Sequence, residues 1–133
     1  MTFFTDECFI YKANALLEAF DREHQIIPLL DRFEAGTPDT DWLPSIARWS
    51  PKPVIICGDA RILKNQVERA ALKEAKLMFV LLASGWTQTP WHTYAWKIIK
   101  VWPRIVEVTS KTLRPTVFEV SVSTLKVEKR FET

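Results

Sequence analysis

Two aspartates directly follow short apolar runs that are typical of buried strands. Asp6 ends the run Phe3-Phe4-Thr5, and Asp59 follows the continuous apolar run 53–57 and one glycine. In open α/β sheets, ligands bind at the carboxyl ends of the strands, where the strand order reverses. If the first and third strands lie side by side across that point, the carboxylates of Asp6 and Asp59 face one another.

Two further acids, Asp39 and Asp41, precede a predicted helix and could enter the same crevice. Clustered carboxylates raise one another's pKa unless a cation neutralises them. Mg²⁺ suits such a site, because it keeps several waters and takes one or two carboxylates together with substrate phosphates. A bound Mg²⁺ polarises a phosphodiester and activates a water. One interpretation of the spacing is therefore metal-dependent phosphodiester chemistry.

Four acids also have a purely structural explanation, and the spacing alone leaves the structural and the metal-binding interpretations open. Asp39 and Asp41 suit the N-terminus of a helix, where each contributes about 0.5–1 kcal/mol through capping and the helix dipole. Glu68 stands three residues after Asn65, as in a capping box. Asp59 could close an Asx-turn.

Short β-type runs alternate with helical stretches along the chain. Short β-type runs predict strands at 3–5, 25–30, 53–57, 77–82 and 116–122, of which 53–57 and 77–82 are continuously apolar. Apolar spacing predicts helices at 11–22, from 40, from 66 and from 89 to about 102. Pro28 favours an edge position for the second strand, Pro44 should fall in the first turn of its helix, and Pro103 should break or kink the last helix. The order predicts an α/β fold, with a mostly parallel five-stranded sheet flanked by helices on both faces. We expect one domain over residues 1–124 and a polar C-terminal tail over 125–133.

Composition narrows the class of protein. With 133 residues, of which 47% are hydrophobic, the chain suits a single domain with a core of its own. No apolar run is long enough to span a bilayer, no signal peptide is evident, and two cysteines are too few for a disulfide scaffold. We therefore expect a cytoplasmic protein with no membrane association.

The charge is divided unevenly along the chain. Residues 1–60 carry ten acidic and five basic side chains, whereas residues 61–133 carry six acidic and thirteen basic ones. This division suits an acidic metal site beside a surface that binds a polyanion, although scattered solvated charge explains it as well.

Three segments, read in order, resemble the PIN-like domains of the VapC toxin type. They are Phe4-Thr5-Asp6-Glu7, the stretch from Gly36 to Trp42, and the stretch from Val54 to Leu63. Later segments, Gly85-Trp86, Ala95-Trp96 and 102–106, resemble the same subfamily, so that the resemblance covers roughly residues 3–122. It implies a PIN-like fold and a Mg²⁺- or Mn²⁺-dependent endoribonuclease, commonly the toxin of a type II toxin–antitoxin pair.

The resemblance also implies roles for individual residues. Asp6, Asp39 and Asp59 match the family's metal-binding and catalytic acids. Glu7, Asp41 and Glu68 would support them, and an RNA substrate and a cognate antitoxin protein would be the partners. Cys8 stands where relatives often have Asn, and Ala60 and Arg61 stand where many have a fourth acid. These departures keep open an alternative, namely a catalytically inactive PIN-like module that binds a protein partner or nucleic acid.

Basic and aromatic side chains suggest further surfaces. Arg61 and Lys64 follow Asp59 closely, and Lys97, Lys100 and Arg104 form a helical stripe if the last helix continues past Pro103; all five are candidates for RNA phosphates. A solvated helix face explains the stripe equally well. The tryptophans 86, 91, 96 and 102 could stack on bases or form a homodimer face, although core positions are more usual for such residues.

Overall fold

The computed structural model describes residues 1–133 and contains one six-stranded sheet, in the order β2-β1-β3-β4-β5-β6. The strands are β1 (Thr2–Thr5), β2 (Gln25–Pro28), β3 (Val54–Cys57), β4 (Met78–Leu82), β5 (Thr116–Val120) and β6 (Val127–Glu132). The helices are α1 (Tyr11–Phe20), α2 (Asp39–Ala47), α3 (Gln66–Ala75) and α4 (Trp91–Lys111). The first five strands run parallel, and β6 runs antiparallel to β5. The predicted α/β class is confirmed.

Helices cover both faces of the sheet because the strands are apolar on both sides. One core cluster contains Phe3, Ile56 and Val80 from the strands and Leu17 and Ile98 from α1 and α4. The cluster on the other face joins strand residues to side chains from α2 and α3; its members include Phe4, Ile55, Phe79, Leu43 and Leu72. Alternate residues of each strand therefore serve opposite layers.

The strand order reverses between β1 and β3, which are direct neighbours. Phe4 lies beside Ile55 and Thr5 beside Ile56 in parallel register. From this pair the chain moves outward to β2 on one side and to β4 on the other. The residues that follow β1 and β3 therefore meet at one edge of the sheet, as the sequence predicts for Asp6 and Asp59.

The N-terminus of α3 is capped as predicted, whereas two prolines do not have the positions in their helices that the sequence predicted. Asn65 accepts hydrogen bonds from the backbone N–H groups of Val67 and Glu68. Pro44 is the sixth residue of α2 and so lies in its second turn, not its first. Pro103 does not end α4, which continues to Lys111, because buried side chains on both sides of it, Trp102 and Ile105 among them, hold the helix on the sheet.

The C-terminal segment differs from the sequence-based expectation. Where we predicted a polar tail after residue 124 and five strands in all, residues Val127–Glu132 form a sixth strand paired with β5. Four of its six residues are charged, and most of the strand is exposed. Charged side chains are common on edge strands, since they discourage pairing with other chains.

No helix of this fold combines the length and the hydropathy that crossing a bilayer requires.

Candidate active site

A cavity of about 550 Å³ opens at the carboxyl ends of β1 and β3. Five acidic side chains line it, and a single basic one, Arg61, joins them. The acids are Asp6, Glu7, Asp39, Asp59 and Glu68. The structure thus brings together the three aspartates that the resemblance assigned to the metal, along with two of the three expected supporting acids.

Asp6 is held in place by the two strands that it joins. Its backbone N–H donates to the carbonyl of Ile56 at 3.0 Å. Its carboxylate Oδ1 accepts from the N–H groups of Gly58, at 2.9 Å, and Phe9, at 3.1 Å. The backbone N–H of Cys8 and the thiol of Cys57 also lie close enough to influence the carboxylate, but no N–H or O–H group forms a hydrogen bond to Oδ2. Oδ1 therefore fixes the side chain, and Oδ2 has no N–H or O–H donor.

The electrostatic environment of Asp6 favours its neutral form. Burial raises the pKa of Asp6 to about 7, and the charge of Asp39 acts in the same direction, against the backbone N–H groups that stabilise the carboxylate. A carboxyl group with a pKa near neutrality and a charged neighbour is typical of functional sites. A cation in the cavity would remove this penalty.

Gly58 allows the two strand ends to approach this closely. A Cβ atom at Gly58 would lie 2.3 Å from the carbonyl carbon and oxygen of Cys8 and 2.4 Å from the nitrogen of Phe9. Only glycine fits this contact. Sequence reasoning missed the role of Gly58, although its position between β3 and Asp59, in a chain with three glycines, was a usable signal.

Asp39 is the first residue of α2, and its side chain belongs to the cavity as well as to the helix. Its Oδ1 accepts a hydrogen bond from Trp42 Nε1 at 2.9 Å. Burial raises the pKa of Asp39, and the bond from Trp42 opposes that shift. As with Asp6, no N–H or O–H group donates to the second oxygen.

Glu7 fastens the loop that precedes Asp39. Its Oε1 accepts from the backbone N–H of Gly36 at 2.9 Å, across 29 positions of sequence. Gly36 has a φ of +83°, a conformation that favours glycine. Glu7 therefore has a supporting position, because it ties the end of β1 to the segment that presents Asp39.

Asp59 lines the cavity but is engaged by Arg61. Its Oδ1 accepts from the backbone N–H of Arg61 at 2.9 Å, and its Oδ2 accepts from the Arg61 Nε at 2.5 Å. The first contact closes the Asx-turn that the sequence suggested for Asp59. Both oxygens thus already have partners, unlike those of Asp6 and Asp39.

Glu68 lies in the first turn of α3 and lines the cavity, and its carboxylate makes no hydrogen bond. The reciprocal bond of a capping box, from the N–H of Asn65 to Glu68, is absent, although Asn65 caps the helix. Burial raises the pKa of Glu68, and so does the charge of Asp39. Glu68 is therefore better described as a cavity acid than as a cap.

Other predicted site residues lie elsewhere. Asp41 is exposed and does not line the cavity, so that its place in the first turn of α2 is explained by the helix dipole. Lys97, Lys100 and Arg104 line a separate depression beside the β5–β6 loop, which shares no residue with the acidic cavity. Lys64 borders a neighbouring groove that shares Asp59 and Arg61 with the cavity.

The aromatic and thiol groups have mixed placements. Trp86 and Trp102 are buried in the core, whereas Trp96 is 51% exposed. Cys57 is buried, whereas Cys8 is exposed at the cavity wall. Burial, followed by the charges of the three aspartates, raises the pKa of Cys8 to about 11.

The donor set fits a hard cation held by two carboxylates. No group of three or more His, Cys, Asp or Glu side chains is arranged so that it could hold a metal ion directly. Mg²⁺, however, is usually bound by one or two carboxylates, with waters and substrate phosphates completing its shell. Asp6 and Asp39 meet that requirement, because each retains a free oxygen and their charges repel. Asp59 could join them only after releasing Arg61.

Comparison with known protein families finds a match to the N-terminal two-thirds of the chain. A family model described as a PIN like domain matches residues 1–84, which include every residue that lines the acidic cavity. No curated protein and no solved structure matches the chain.

Proposed function

Because this chain belongs to the PIN-like domain family, whose members are generally nucleases, we propose that it is a Mg²⁺- or Mn²⁺-dependent endoribonuclease. The observation that carries the proposal is the cavity in which Asp6 and Asp39 each keep one carboxylate oxygen without a hydrogen-bond donor. The bound metal would polarise the phosphodiester, lower the pKa of an attacking water and neutralise charge on the leaving oxygen.

The residues of the chain have distinct roles in this proposal. Asp6 and Asp39 hold the cation, and Asp59 is the third catalytic acid once Arg61 has turned to a substrate phosphate. Glu68 has no hydrogen bond and a raised pKa, which suits a group that accepts a proton from water. Glu7 keeps the loop before Asp39 in place, and Arg61 and Lys64 hold phosphate.

Cleavage of labelled RNA tests the proposal. Purified protein is incubated with a structured RNA pool and Mn²⁺ or Mg²⁺, with EDTA as one control and Asp41→Asn, outside the cavity, as the matched variant. We expect metal-dependent cleavage that falls by about 10²-fold or more in Asp6→Asn and Asp59→Asn, a loss comparable to that from removing one preorganised hydrogen-bond donor of an oxyanion hole, and stays near wild type in Asp41→Asn. Cleavage that survives EDTA or both cavity substitutions would contradict the assignment.

The resemblance to VapC toxins supports a more specific proposal, in which the chain is the toxin of a type II pair and binds a cognate antitoxin. Expression in a bacterial host should then arrest growth, and Asp6→Asn should relieve the arrest. Normal growth at matched expression of folded protein would argue against the toxin role while leaving the nuclease proposal intact.

The pairing of Asp59 with Arg61 favours a second candidate, a PIN-like module that binds a protein or nucleic acid without cleaving it. Metal binding distinguishes the two, because a ligand bound only by the folded state must raise the melting temperature. The nuclease proposal requires a rise with millimolar Mg²⁺ or Mn²⁺ at low salt, absent in Asp6→Asn. A melting temperature unchanged by either metal would favour the binding module.

A further inference from the structure

A groove of about 770 Å³ adjoins the acidic cavity and runs between α3 and β6. The two depressions share Asp59 and Arg61, so that a chain-like ligand could pass from one into the other. The far wall of the groove includes Arg130 and Phe131 of β6, a strand that lies outside the matched family region of residues 1–84.

Three cations of the groove have no ion-pair partner, whereas its acids are all paired. Asp59 binds Arg61, Glu119 binds Arg130, and Glu132 binds Lys129 and lies near Arg114; these ion pairs neutralise the acidic side chains of the wall. The remaining basic side chains are Lys64, Arg69 and Lys73. None of the three forms an ion pair, and only Arg69 has a hydrogen bond, to the Leu63 carbonyl at 3.4 Å.

Phe131 holds two of these cations side by side. The Arg69 guanidinium carbon lies 5.1 Å from the centre of the Phe131 ring, and the Lys73 ammonium lies 5.7 Å from it. Arg69 and Lys73 are one turn apart on α3, and an aromatic face stabilises a cation within about 6 Å. The ring thus aligns two positive charges along the groove.

The basic stripe of α4 also places two cations beside one aromatic ring, since the Lys97 and Lys100 ammonium groups lie 5.6 and 6.0 Å from the centre of the Trp96 ring, but two of its three cations have other partners. Lys97 donates to the carbonyl of Val122 at 2.7 Å, and Arg104 is paired with Glu107. Its depression is also separate from the acidic cavity. A ligand bound at the metal site could therefore extend directly into the α3–β6 groove, whereas the α4 stripe does not adjoin that site.

We propose that the α3–β6 groove binds the phosphate backbone of an RNA strand on one side of the bond that lies in the acidic cavity. The inference rests on the proposed function and deepens it, because it assigns a path for the substrate. Lys64, Arg69 and Lys73 bind successive phosphates, and Phe131 positions the last two cations. The C-terminal strand is then part of the substrate surface.

The test measures binding of a short, labelled single-stranded RNA by fluorescence anisotropy in EDTA, over a range of NaCl concentrations. The test variant is Lys64→Gln/Lys73→Gln, and the matched control is Lys97→Gln/Lys100→Gln on α4. Each phosphate contact on a single strand contributes about 0.7 to the slope of log K against log[salt]. We expect the groove variant to bind at least about tenfold more weakly, with a slope smaller by about 1.4, and the α4 variant to remain within about threefold of wild type.

Equal binding by wild type and the groove variant, or an equal loss in the α4 variant, would overturn the inference. Lys64 and Lys73 are exposed, so that their replacement should leave the melting temperature unchanged, and that measurement accompanies the assay. Because binding is measured without metal, the result is independent of cleavage. A chain that binds RNA through the groove but never cuts it would uphold this inference and overturn the nuclease assignment.

Discussion

The backbone N–H of Gly58 donates to the carboxylate of Asp6 at 2.9 Å, which joins the ends of β1 and β3 beneath the acidic cavity. The bond depends on a backbone contact so close that a Cβ atom at Gly58 would lie 2.3 Å from Cys8. The geometry of Asp6 and the packing of two neighbouring strands are therefore one feature of the fold.

Gly58→Ala should destabilise the protein severely, because the nearest neighbours of the new methyl group are backbone atoms that cannot rotate away. We expect a loss of about 3 kcal/mol or more, a value typical of severe overpacking. Gly36→Ala is the matched control, since its Cβ would meet nothing within 4 Å and only the positive φ opposes it. Its expected cost is about 1–2 kcal/mol. Urea unfolding measures both, and equal losses would contradict the contact described here.

Asp6→Asn should stabilise the metal-free protein at neutral and higher pH. Burial and Asp39 raise the pKa of Asp6 from 3.8 to about 7, so the stability that protonated Asp6 provides is complete below about pH 4 and is lost as the pH rises through 7. Asparagine keeps the acceptor oxygen and carries no charge. Since each pKa unit corresponds to about 1.4 kcal/mol, and solvent screens part of the effect, we expect a gain of roughly 1–3 kcal/mol at pH 8.

Thermal unfolding in EDTA at several pH values checks this expectation. The difference between Asp6→Asn and wild type should grow from pH 5 to pH 8, and Mg²⁺ should reduce it by stabilising wild type alone. Asp41→Asn is the control, because Asp41 is exposed and lies outside the cavity. A difference that is constant over this pH range would contradict the raised pKa of Asp6.

Sequence patterns predicted the parts of the fold that depend on local hydrophobicity. The strands β3 and β4 are continuous apolar runs, and β1 contains two adjacent phenylalanines; such patterns are visible without tertiary information. The edge strand β6 was missed because Val127 and Phe131 are its only apolar residues, so that its pairing with β5 supplies the order that its composition does not. Pro103 led to the opposite error, because the sequence predicted that α4 breaks or kinks there. The packing of α4 on the sheet stabilises the helix by more than the one hydrogen bond that a proline removes.

The candidate site was predictable where it depends on strand ends and not where it depends on contacts between distant segments. Asp6 and Asp59 follow strands, and the neighbouring positions of β1 and β3 bring them to one edge. The role of Gly58 depends on Cys8, which is 50 positions away, and no local pattern reports that contact. Glu68 has the spacing of a capping box, and only the position of α3 beside the cavity shows that Glu68 is an acid of the cavity and not a helix cap.

Asp21 is a second carboxylate whose surroundings predict a measurable effect on stability. Its Oδ2 accepts from the buried Trp102 Nε1 at 2.8 Å and is 2.9 Å from His24 Nδ1. Burial alone would raise the pKa of Asp21, but these hydrogen bonds and those from the backbone lower it. Asp21→Ala leaves the Trp102 N–H without its acceptor and should cost about 1–3 kcal/mol at neutral pH.

The pH dependence of this loss has a defined sign. A lowered pKa stabilises the fold above the ordinary pKa of Asp21, and that contribution is lost as the pH falls through the lowered value. The gap between wild type and Asp21→Ala should therefore narrow in acid. Asp31→Ala is the matched control, because Asp31 is exposed and its side chain makes no hydrogen bond. An equal effect of the two substitutions would refute the role of the Trp102 contact.

Cys8 should report metal binding through its rate of alkylation. Burial and the charges of Asp6, Asp59 and Asp39 raise its pKa to about 11, so that very little thiolate is present near pH 8 and iodoacetamide should react slowly. A divalent cation held by Asp6 and Asp39 would cancel part of that negative potential and lower the pKa of Cys8. We expect Mg²⁺ to accelerate alkylation about threefold to tenfold, since a fall of one pKa unit gives about ten times more thiolate.

Mass spectrometry after timed labelling measures the rate at each cysteine, and Cys57 serves as an internal reference because it is buried and should stay unmodified in the folded protein. Asp6→Asn is the second control: its Cys8 should react faster than wild type without metal, because one of the charges that raise the pKa of Cys8 has been removed, and Mg²⁺ should change that rate little. If Mg²⁺ slows alkylation in wild type, the cation covers the thiol instead of acting through its charge. If Mg²⁺ leaves the rate unchanged at concentrations that support RNA cleavage, the metal is not held by Asp6 and Asp39.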